Sequence, residues 1–445
     1  MKEIEIDDLK QKLAESLEEN VILNSIPLEF PQELMELTKE DFPDDCDYRK
    51  DLTQKRCITI DDESTKDIDD ALFLEETDKG YRLWIHIADV ASYLRLDELL
   101  YDDAEARATS IYLPDRVIRM LPPLFSEDLC SLLPNENRRA MSFCIDLDQH
   151  YDVLSLKIYR SLICSSIKCS YEEVEKVISG EGLEDPAIQE KYDKNTQEMI
   201  QKLNALTEKL TDKRNKDLSF INKKIKVTDS DLIISSKAQT RAEQMVEECM
   251  VLANKEASKF MVLQKLPIIY RIQDGSGGSA SYSHKNLGHK DLNIEAGQGG
   301  YAYVTSPIRR FADTVNQMIL CSYLDGDPIE EIHEEFHEEY LESVSFFLTK
   351  KSMRARNLST KQNRICEGFY LLHHAETKMI QGFLSDQIFK ESRVLSRFQI
   401  DLNDIHFTLI GEFSALPMKW YELKITRCSD GSAEVVSCIP IKQQS

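Results

Sequence analysis

The sequence predicts an α+β fold in which strand-rich segments alternate with long helices. Three short β-like runs, CITID, ALFLEE and YRLWIHIADVASYL, follow one another through residues 57–94 around an acidic turn. Helical periodicity is typical of residues 171–215, 239–265, 305–324 and 328–380. Three further β-like runs, IHFTLIGEF, WYELKITRC and SAEVVSCIPI, return in the last part of the chain and indicate a small barrel-like domain.

The same patterns predict three parts along the chain. Residues 1–26 form an acidic amphipathic helix, a surface or capping element with leucines at four-residue steps. Residues 27–380 form the main domain, interrupted at 275–281 by the Gly/Ser run GSGGSAS, whose composition is that of a flexible linker. Residues 381–445 form the small C-terminal β domain.

Composition narrows the class of protein. The longest apolar run, at 261–270, is too short to cross a bilayer, so no membrane role is expected. The eleven cysteines contain no CxxC pair, which favours a reduced, cytoplasmic protein. A net charge of −24 argues against general nucleic-acid binding, although a narrow basic channel inside an acidic shell remains compatible with it.

The densest chemical pattern is the acidic run TIDDESTKDIDDAL at residues 59–72. Carboxylates this close repel one another unless they face solvent or a cation neutralises them. A solvated acidic turn is therefore one interpretation, and a site for Mg²⁺ or Mn²⁺ is the other. A calcium loop is excluded, because its sixth position would be Lys66 and its twelfth Leu72.

Together with LWIHIADVASYL (83–94), the acidic run resembles the catalytic motif of the ribonuclease II, or RNB, family. Three further stretches follow in the family's order: RATSIYLPDRVIRMLPPLFSEDLCSLLPNENRRAMSF (107–143), EQMVEECMVLAN (243–254) and GYAYVTSPIRRFAD (300–313). PLEFPQEL with YRKDLT (27–53) is similar to the family's lead-in. The resemblance implies a mixed sheet surrounded by helices that form an RNA channel.

The resemblance also implies an activity. Family members hydrolyse single-stranded RNA from the 3′ end to nucleoside 5′-monophosphates by two-metal catalysis, with Mg²⁺ or Mn²⁺ and no nucleotide cofactor. The four aspartates of the family's D-x5-D-x-D-D motif bind the metals, and the last of them acts mainly in the chemical step. In this sequence they are Asp61, Asp67, Asp69 and Asp70.

Six more residues match positions with roles in the family. Tyr112 and Phe220 correspond to the aromatic residues at the two ends of the stacked 3′ bases, and Tyr171 and Glu247 to ribose contacts. Without the resemblance the aromatic residues would be interpreted as core and Glu247 as a charged helix residue. Arg309 and Arg310 are expected just inside a helix N-terminus, as a clamp on the phosphate; the alternative is surface arginines.

The sequence departs from the family pattern in four places. The residues before CITID are too few to hold even one cold-shock domain together with the lead-in, and the C-terminal β segment is a degenerate match to the family's OB-fold. GSGGSAS contains no arginine where the family has a longer segment near a catalytic arginine, and is either natural or a replacement. Glycines of GQGGY replace a glutamate that some members carry.

Three alternatives to an exoribonuclease follow. The first is a catalytically impaired RNB-family RNA-binding protein, favoured only by the absent arginine. The second is a structural or adaptor protein with long charged helices, and the sequence names no protein partner for it. The third is a zinc protease, because HEEFH (333–337) fits HExxH, but its surroundings are charged on nearly every side.

Overall fold

The computed structural model describes residues 6–43, 48–181, 185–214, 221–273, 280–297, 299–374, 379–390, 393–413 and 419–441. The α-helices are α1 Ile6–Asn24, α2 Gln32–Met35, α3 Ala91–Leu94, α4 Glu98–Arg107, α5 Tyr171–Ser179, α6 Pro186–Lys191, α7 Lys194–Arg214, α8 Arg241–Leu263, α9 Phe311–Asp325, α10 Ile329–Glu335 and α11 Glu338–His374. The strands are β1 Lys50–Asp51, β2 Ile58–Asp61, β3 Asp70–Thr77, β4 Gly80–Ala88, β5 Ile111–Tyr112, β6 Val117–Ile118, β7 Asn137–Asp148, β8 Val153–Cys164, β9 Ile167–Ser170, β10 Ile221–Val227, β11 Leu232–Ala238, β12 Tyr270–Ile272, β13 Ser281–Ser283, β14 Met379–Lys390, β15 Arg393–Leu402, β16 Ile405–Glu412, β17 Lys419–Arg427 and β18 Ala433–Pro440. The predicted α+β class is confirmed.

A seven-stranded mixed sheet forms the centre of the main domain, in the order β1-β8-β7-β4-β3-β2-β9. The five strands from β8 to β2 run antiparallel, while β9 is parallel to β2 and β1 to β8. Strand β4 is buried along most of its length, which explains its nearly continuous apolar sequence. The sheet therefore holds the ends of β2 and β3 rigidly inside the protein.

Helices pack against several strands of this sheet. Helices α5, α7 and α8 contact one another beside β2, β3 and β9, and α9 packs near α3 and β8. Helix α8 begins with a capping box in which Thr240 and Glu243 satisfy each other's backbone N–H groups. Helix α5 begins with the same motif and ends at Gly180, whose φ of 85° is left-handed.

The C-terminal strands form a curled five-stranded half-barrel in the order β16-β15-β14-β17-β18. Its two edge strands, β16 and β18, lie in contact, and β16 alternates buried and exposed residues. Leu9 and Leu13 of α1 pack with Ile365 and Phe369 of α11 in its core. Helix α1 thus lies against both α11 and the half-barrel, as an amphipathic capping helix would.

Two local predictions were wrong. Residues 89–94 do not continue strand β4, because Asp89 accepts a hydrogen bond from Ser92 N at 3.1 Å and starts the short helix α3. The helix predicted from 305 begins only at Phe311. The preceding residues form a turn in which Ser306 O accepts hydrogen bonds from the backbone N–H groups of Arg309 and Arg310.

The HEEFH segment does not place two imidazoles on one helical face. Helix α10 ends at Glu335, before His337. His333 Nε2 lies 2.8 Å from the carbonyl oxygen of Lys265, whereas His337 Nδ1 accepts a hydrogen bond from Tyr340 N. The arrangement does not support the zinc-protease alternative.

Among the helices that the structure describes, none combines the length and the apolar character needed to cross a bilayer.

A buried ion pair joins the lead-in segment to the sheet. Arg49 Nη1 lies 2.8 Å from Asp89 Oδ2, and the two side chains are 1% and 0% exposed. A second cation, Arg160, lies 3.8 Å from the same carboxylate oxygen. Removing one partner of a buried pair leaves the other charged and desolvated, which destabilises the folded state.

We expect Arg49→Met to lower the free energy of unfolding by about 3 kcal/mol, the lower part of the usual range because Arg160 remains. Urea unfolding followed by fluorescence measures this change. The matched control is Arg56→Met, since the Arg56–Asp193 pair is exposed and should contribute about 1 kcal/mol or less. Equal losses in both variants would contradict a special role of the buried pair.

A buried histidine on β4 should make stability depend on pH. Burial lowers the pKa of His86 to about 3, and its Nδ1 lies 2.6 Å from Ser142 Oγ. The unfolded chain binds a proton near the ordinary histidine pKa and the folded chain does not. His86 therefore opposes folding increasingly as pH falls from about 6.5 toward 3.

We expect the stability difference between the parent protein and His86→Phe to change by about 1.4 kcal/mol per pH unit below about pH 6. The parent should lose more stability than the variant on acidification, because only the parent carries the histidine. Urea unfolding at a series of pH values measures the difference. Between about pH 7.5 and 9 the difference should be constant as the control; a slope there, or none in acid, contradicts the expectation.

Candidate catalytic site

A cavity of about 550 Å³ opens where the acidic loop, helix α8 and the turn before α9 meet. Nine of the ten residues singled out from the sequence line it. They are Asp61, Asp67, Asp69, Asp70, Tyr112, Tyr171, Glu247, Arg309 and Arg310. Phe220, the tenth, lies outside the described residues.

The four aspartates lie at one end of the central sheet. Asp61 is the last residue of β2 and Asp70 the first of β3, while Asp67 and Asp69 belong to the loop between them. Because neighbouring strands hold β2 and β3 in place, the segment that carries the D-x5-D-x-D-D motif turns back on itself between them. The loop thereby carries its carboxylates to the cavity wall.

Hydrogen bonds to the backbone fix the acidic loop. Ser131 Oγ donates to Lys66 O at 2.6 Å and accepts from Ile68 N at 3.1 Å. Lys168 Nζ donates to the carbonyl of Glu63 at 2.9 Å, and Ala88 N donates to the carbonyl of Asp69 at 2.8 Å. The loop is an ordered part of the fold and not a solvated acidic turn.

The buried carboxylates are hard to ionise together. Burial raises the pKa of Asp61 and of Asp70, and repulsion from neighbouring aspartates raises both further. Burial also raises the pKa of Asp69 to about 7, against the opposing effect of the Arg309 guanidinium. Such a site favours either protons or a bound cation.

Asp69 connects the acidic loop to the turn before α9. Its Oδ1 accepts a hydrogen bond from Ile308 N at 3.0 Å, and its Oδ2 one from Arg309 Nε at 3.2 Å. Arg309 also donates to Ser306 Oγ at 2.8 Å. Arg309 is therefore positioned by Asp69 on one side and by Ser306 on the other. The sequence predicted a place just inside a helix N-terminus, and that prediction is wrong.

Arg310 is held by a different set of contacts. Its Nε and Nη2 donate to the two carboxylate oxygens of Asp313 at 2.9 and 2.7 Å. Its guanidinium carbon lies 3.8 Å from the centre of the Tyr303 ring. The predicted placement inside a helix is wrong here too, because Arg310 is the residue immediately before α9.

Two tyrosines border the aspartates. Tyr112 is 46% exposed and its hydroxyl donates to Asp67 Oδ2 at 2.9 Å, so its ring reaches the cavity. Tyr171 follows β9, whose Ser170 pairs with Asp61 of β2. Burial, followed by the charge of Asp61, raises the pKa of Tyr171, so its hydroxyl stays protonated.

Helix α8 contributes a whole face to the cavity, of which the sequence singled out only Glu247. Glu247 Oε2 accepts a hydrogen bond from Gln239 Nε2 at 2.7 Å. The other lining residues of this helix, Glu243, Val246, Met250, Val251 and Asn254, recur at helical spacing. The helical periodicity within EQMVEECMVLAN could have identified these residues from the sequence.

Asn254 also supports the turn before α9. Its amide nitrogen donates to Tyr301 and Thr305 hydroxyls, and its oxygen accepts from Val304 N at 2.8 Å. Tyr301, Thr305 and His289 line the cavity as well. No local pattern marks His289, because it reaches the cavity only through tertiary folding.

The donor chemistry fits a hard divalent cation. Asp70 Oδ2 is buried without a hydrogen-bond partner, a costly arrangement that a cation relieves. Among the described residues, no three His, Cys, Asp or Glu side chains already converge as a metal-binding set. Asp67 and Asp69 accept hydrogen bonds from Tyr112, Ile308 and Arg309, and carboxylates oriented in this way keep lone pairs that can bind a metal.

Known proteins are similar to this chain in sequence and in fold. The family model of the RNB domain matches residues 49–277 and 275–326, two pieces that meet within the Gly/Ser run. Ribonuclease R of Mycoplasmopsis pulmonis is 28% identical over 411 residues, which cover 77% of this chain and 54% of that protein. The chain spans about half the length of the curated relatives it matches.

Solved structures agree on the fold. Mycoplasma genitalium RNase R in complex with double-stranded RNA has a TM-score of 0.80 and 21% identity, covering 96% of this chain and 83% of that one. Yeast Ssd1, described as a pseudonuclease, has a TM-score of 0.60 and 15% identity, covering 90% and 54% of the two chains. At these identities the likeness concerns the fold alone. The match of the family model to more than half of the sequence shows that the chain belongs to the RNB domain family.

Proposed function

We propose that this protein is a metal-dependent 3′→5′ exoribonuclease that hydrolyses single-stranded RNA to nucleoside 5′-monophosphates. One observation carries the proposal: four aspartates, two tyrosines and two arginines from separate segments line one cavity. Membership of the RNB family and the curated relatives named Ribonuclease R support it.

Asp61, Asp67, Asp69 and Asp70 would hold Mg²⁺ or Mn²⁺ in this proposal. When bound, a pair of such ions supplies an activated water and stabilises the charge on the leaving oxygen. The buried, unpartnered Asp70 Oδ2 is the oxygen best placed to gain from a cation. We therefore assign Asp70 to the chemical step, as the motif suggests.

Arg309 and Arg310 carry the positive charge of the cavity. Arg309 keeps an Asp69 contact, while Arg310 is paired with Asp313 and covers Tyr303. Guanidinium groups held in this way can donate to phosphate oxygens without a large loss of side-chain entropy. We propose that they orient the scissile phosphodiester and stabilise its developing charge.

The neighbouring tyrosines and Glu247 would recognise the sugar and base. The half-exposed ring of Tyr112 offers a surface for the terminal base, with stacking worth about 1–3 kcal/mol per base. Tyr171 and Glu247 supply a hydroxyl donor and a carboxylate acceptor for riboses. A contact with the 2′-hydroxyl would favour RNA over DNA.

The second candidate is a catalytically impaired RNA-binding protein of the same family. It is favoured by the arginine-free run GSGGSAS and by the existence of a relative described as a pseudonuclease. Retention of all four aspartates favours the enzyme. We further propose a cytoplasmic location, in keeping with the free thiols of the described cysteines.

We expect 5′-labelled single-stranded RNA to shorten progressively with Mg²⁺, and the unlabelled product to be nucleoside 5′-monophosphate. Asp70→Asn should lower the rate by at least about a hundredfold while RNA binding persists. Gel electrophoresis and chromatography measure the two products. Asp152→Asn is the matched control, because Asp152 is an exposed aspartate that pairs with Lys213 and does not line the catalytic cavity.

The polarity and the site are tested separately. Release of the 5′ label as the first product would contradict 3′→5′ hydrolysis. Binding of RNA without any shortening would support the impaired RNA-binding protein. Normal cleavage by Asp70→Asn would show that the catalytic assignment is wrong.

We expect Mg²⁺ or Mn²⁺ to stabilise the parent protein, by about 2.7 kcal/mol at a concentration about one hundred times the dissociation constant. Asp70→Asn should lose most of this gain. Without divalent cations the same variant should be about 0.5–2 kcal/mol more stable than the parent, since it removes a buried, repelled carboxylate. Thermal unfolding with and without the cation measures both effects, and equal cation responses in parent and variant would contradict the metal site.

A further inference from the structure

Helix α11 contains a long stretch without acidic residues. Residues 343–366 include six lysines and arginines and no aspartate or glutamate, in a chain with 79 acidic residues among 445. An acid-free segment of this length is unusual for such a composition. The stretch is therefore a local basic feature within an acidic protein.

Most of its cations are unpaired. In the part of the chain that the structure describes, Lys350, Arg354, Arg356 and Arg364 form no ion pair, and all four are exposed. Among the described residues, Lys361 of this stretch is paired, with Glu19 of α1. From the first to the last of the four, the helix rises about 21 Å. Arg354 and Arg356 are two residues apart and so lie about 200° apart around the helix. The four free positive charges therefore spread across the exposed face of α11, and we call them together the basic tract.

The basic tract passes beside the catalytic cavity near Ser359. Thr349 Oγ1 accepts a hydrogen bond from the backbone of Tyr282, and Ser359 Oγ donates to the backbone oxygen of Tyr112, which lines the cavity. Arg356 lies seven residues after Thr349 and three before Ser359, so it shares their side of the helix. Its exposed guanidinium is therefore on the cavity side.

The basic tract ends at a second cavity of about 430 Å³. Arg364 and Asn363 of α11, Lys223 of β10 and Arg397 of β15 line it. Lys223 and Arg397 are ion-paired, with Glu367 and Asp386. The tract thus extends past the catalytic cavity to a polar cleft at the half-barrel, where ion pairs neutralise Lys223 and Arg397 but, among the described residues, not Arg364.

Apolar side chains are interleaved with these cations. Phe346 is 63% exposed and Met353 53% exposed, and both lie on the face of Lys350. Lys350 Nζ lies 4.1 Å from the centre of the Phe346 ring. One exposed aromatic ring and one thioether beside free cations suit a single strand, whose phosphates and bases need different contacts.

We propose that the basic tract binds the part of a single-stranded RNA that lies 5′ of the nucleotides in the catalytic cavity. Naming RNA as the occupant rests on the proposed function. Charge complementarity, the absence of carboxylates within residues 343–366 and the contact of Ser359 with Tyr112 of the cavity favour RNA. An acidic protein segment is the competing occupant, and the experiment below distinguishes it from RNA.

The test compares two fourfold variants of the full chain. The tract variant replaces Lys350, Arg354, Arg356 and Arg364 by glutamine, which preserves helix propensity. The control replaces Arg56, Lys194, Lys202 and Lys209 by glutamine. All four are ion-paired, and all are exposed except the half-buried Lys202. They lie on or beside α7 and give the same change in net charge.

Binding is measured by fluorescence anisotropy in EDTA over a range of salt concentrations. For RNA longer than about 16 nucleotides, the tract variant should bind about tenfold or more weakly. The slope of log K against log salt should fall by about 0.7 for each phosphate that the variant no longer neutralises. RNA of about four nucleotides should bind, and with Mg²⁺ be cleaved, as in the control.

Each other result has a definite meaning. Equal binding and equal salt slopes in the two variants overturn the proposal. So does unchanged RNA binding combined with abolished binding of poly-glutamate, which assigns the tract to an acidic protein. If no RNA is cleaved by any protein but only the tract variant binds long RNA more weakly, the basic tract stands and the exoribonuclease proposal fails.

Discussion

Asp69 accepts hydrogen bonds from the backbone of Ile308 and the guanidinium of Arg309, which lie about 240 residues later in the chain. This contact brings the acidic loop against the turn before α9 and completes the wall of the cavity. It also offsets part of the free-energy cost of burying a carboxylate. The remaining free-energy cost of burying charge lies mainly at Asp61 and Asp70, whose pKa values are raised, and a bound cation would relieve it.

The surrounding fold supports this cluster of mutually repelling carboxylates. The sheet fixes the ends of β2 and β3, and Ser131 and Lys168 hold the loop between them. Helix α8 supplies Asn254, whose amide joins Tyr301, Val304 and Thr305 into one hydrogen-bonded unit. Mutually repelling groups stay in place only where packed neighbours leave them no alternative position.

Local patterns predicted β2 to β4, β16 to β18, the long helices and the aspartate spacing, because each depends on residues close in sequence. They did not single out β7 and β8, the long strands of the central sheet. The start of α9 was placed six residues early, since Thr-Ser-Pro resembles a helix start while Asp69 and Asp313 hold those residues in a turn. The β4 strand was extended too far because Asp89 and Ser92 form a helix start within an apolar run. His289 was missed because only tertiary folding brings it to the cavity.

Net charge misled for a related reason. A total of −24 describes the average surface, whereas RNA contacts depend on where unpaired cations lie. Many lysines and arginines here, including Lys202 and Arg241, neutralise nearby carboxylates and leave little free positive charge. At physiological salt the acidic surface is screened beyond about 8 Å. An RNA strand would therefore interact mainly with the arginines of the cavity and with the basic tract of α11. The local charge there is positive, although the net charge of the chain is negative.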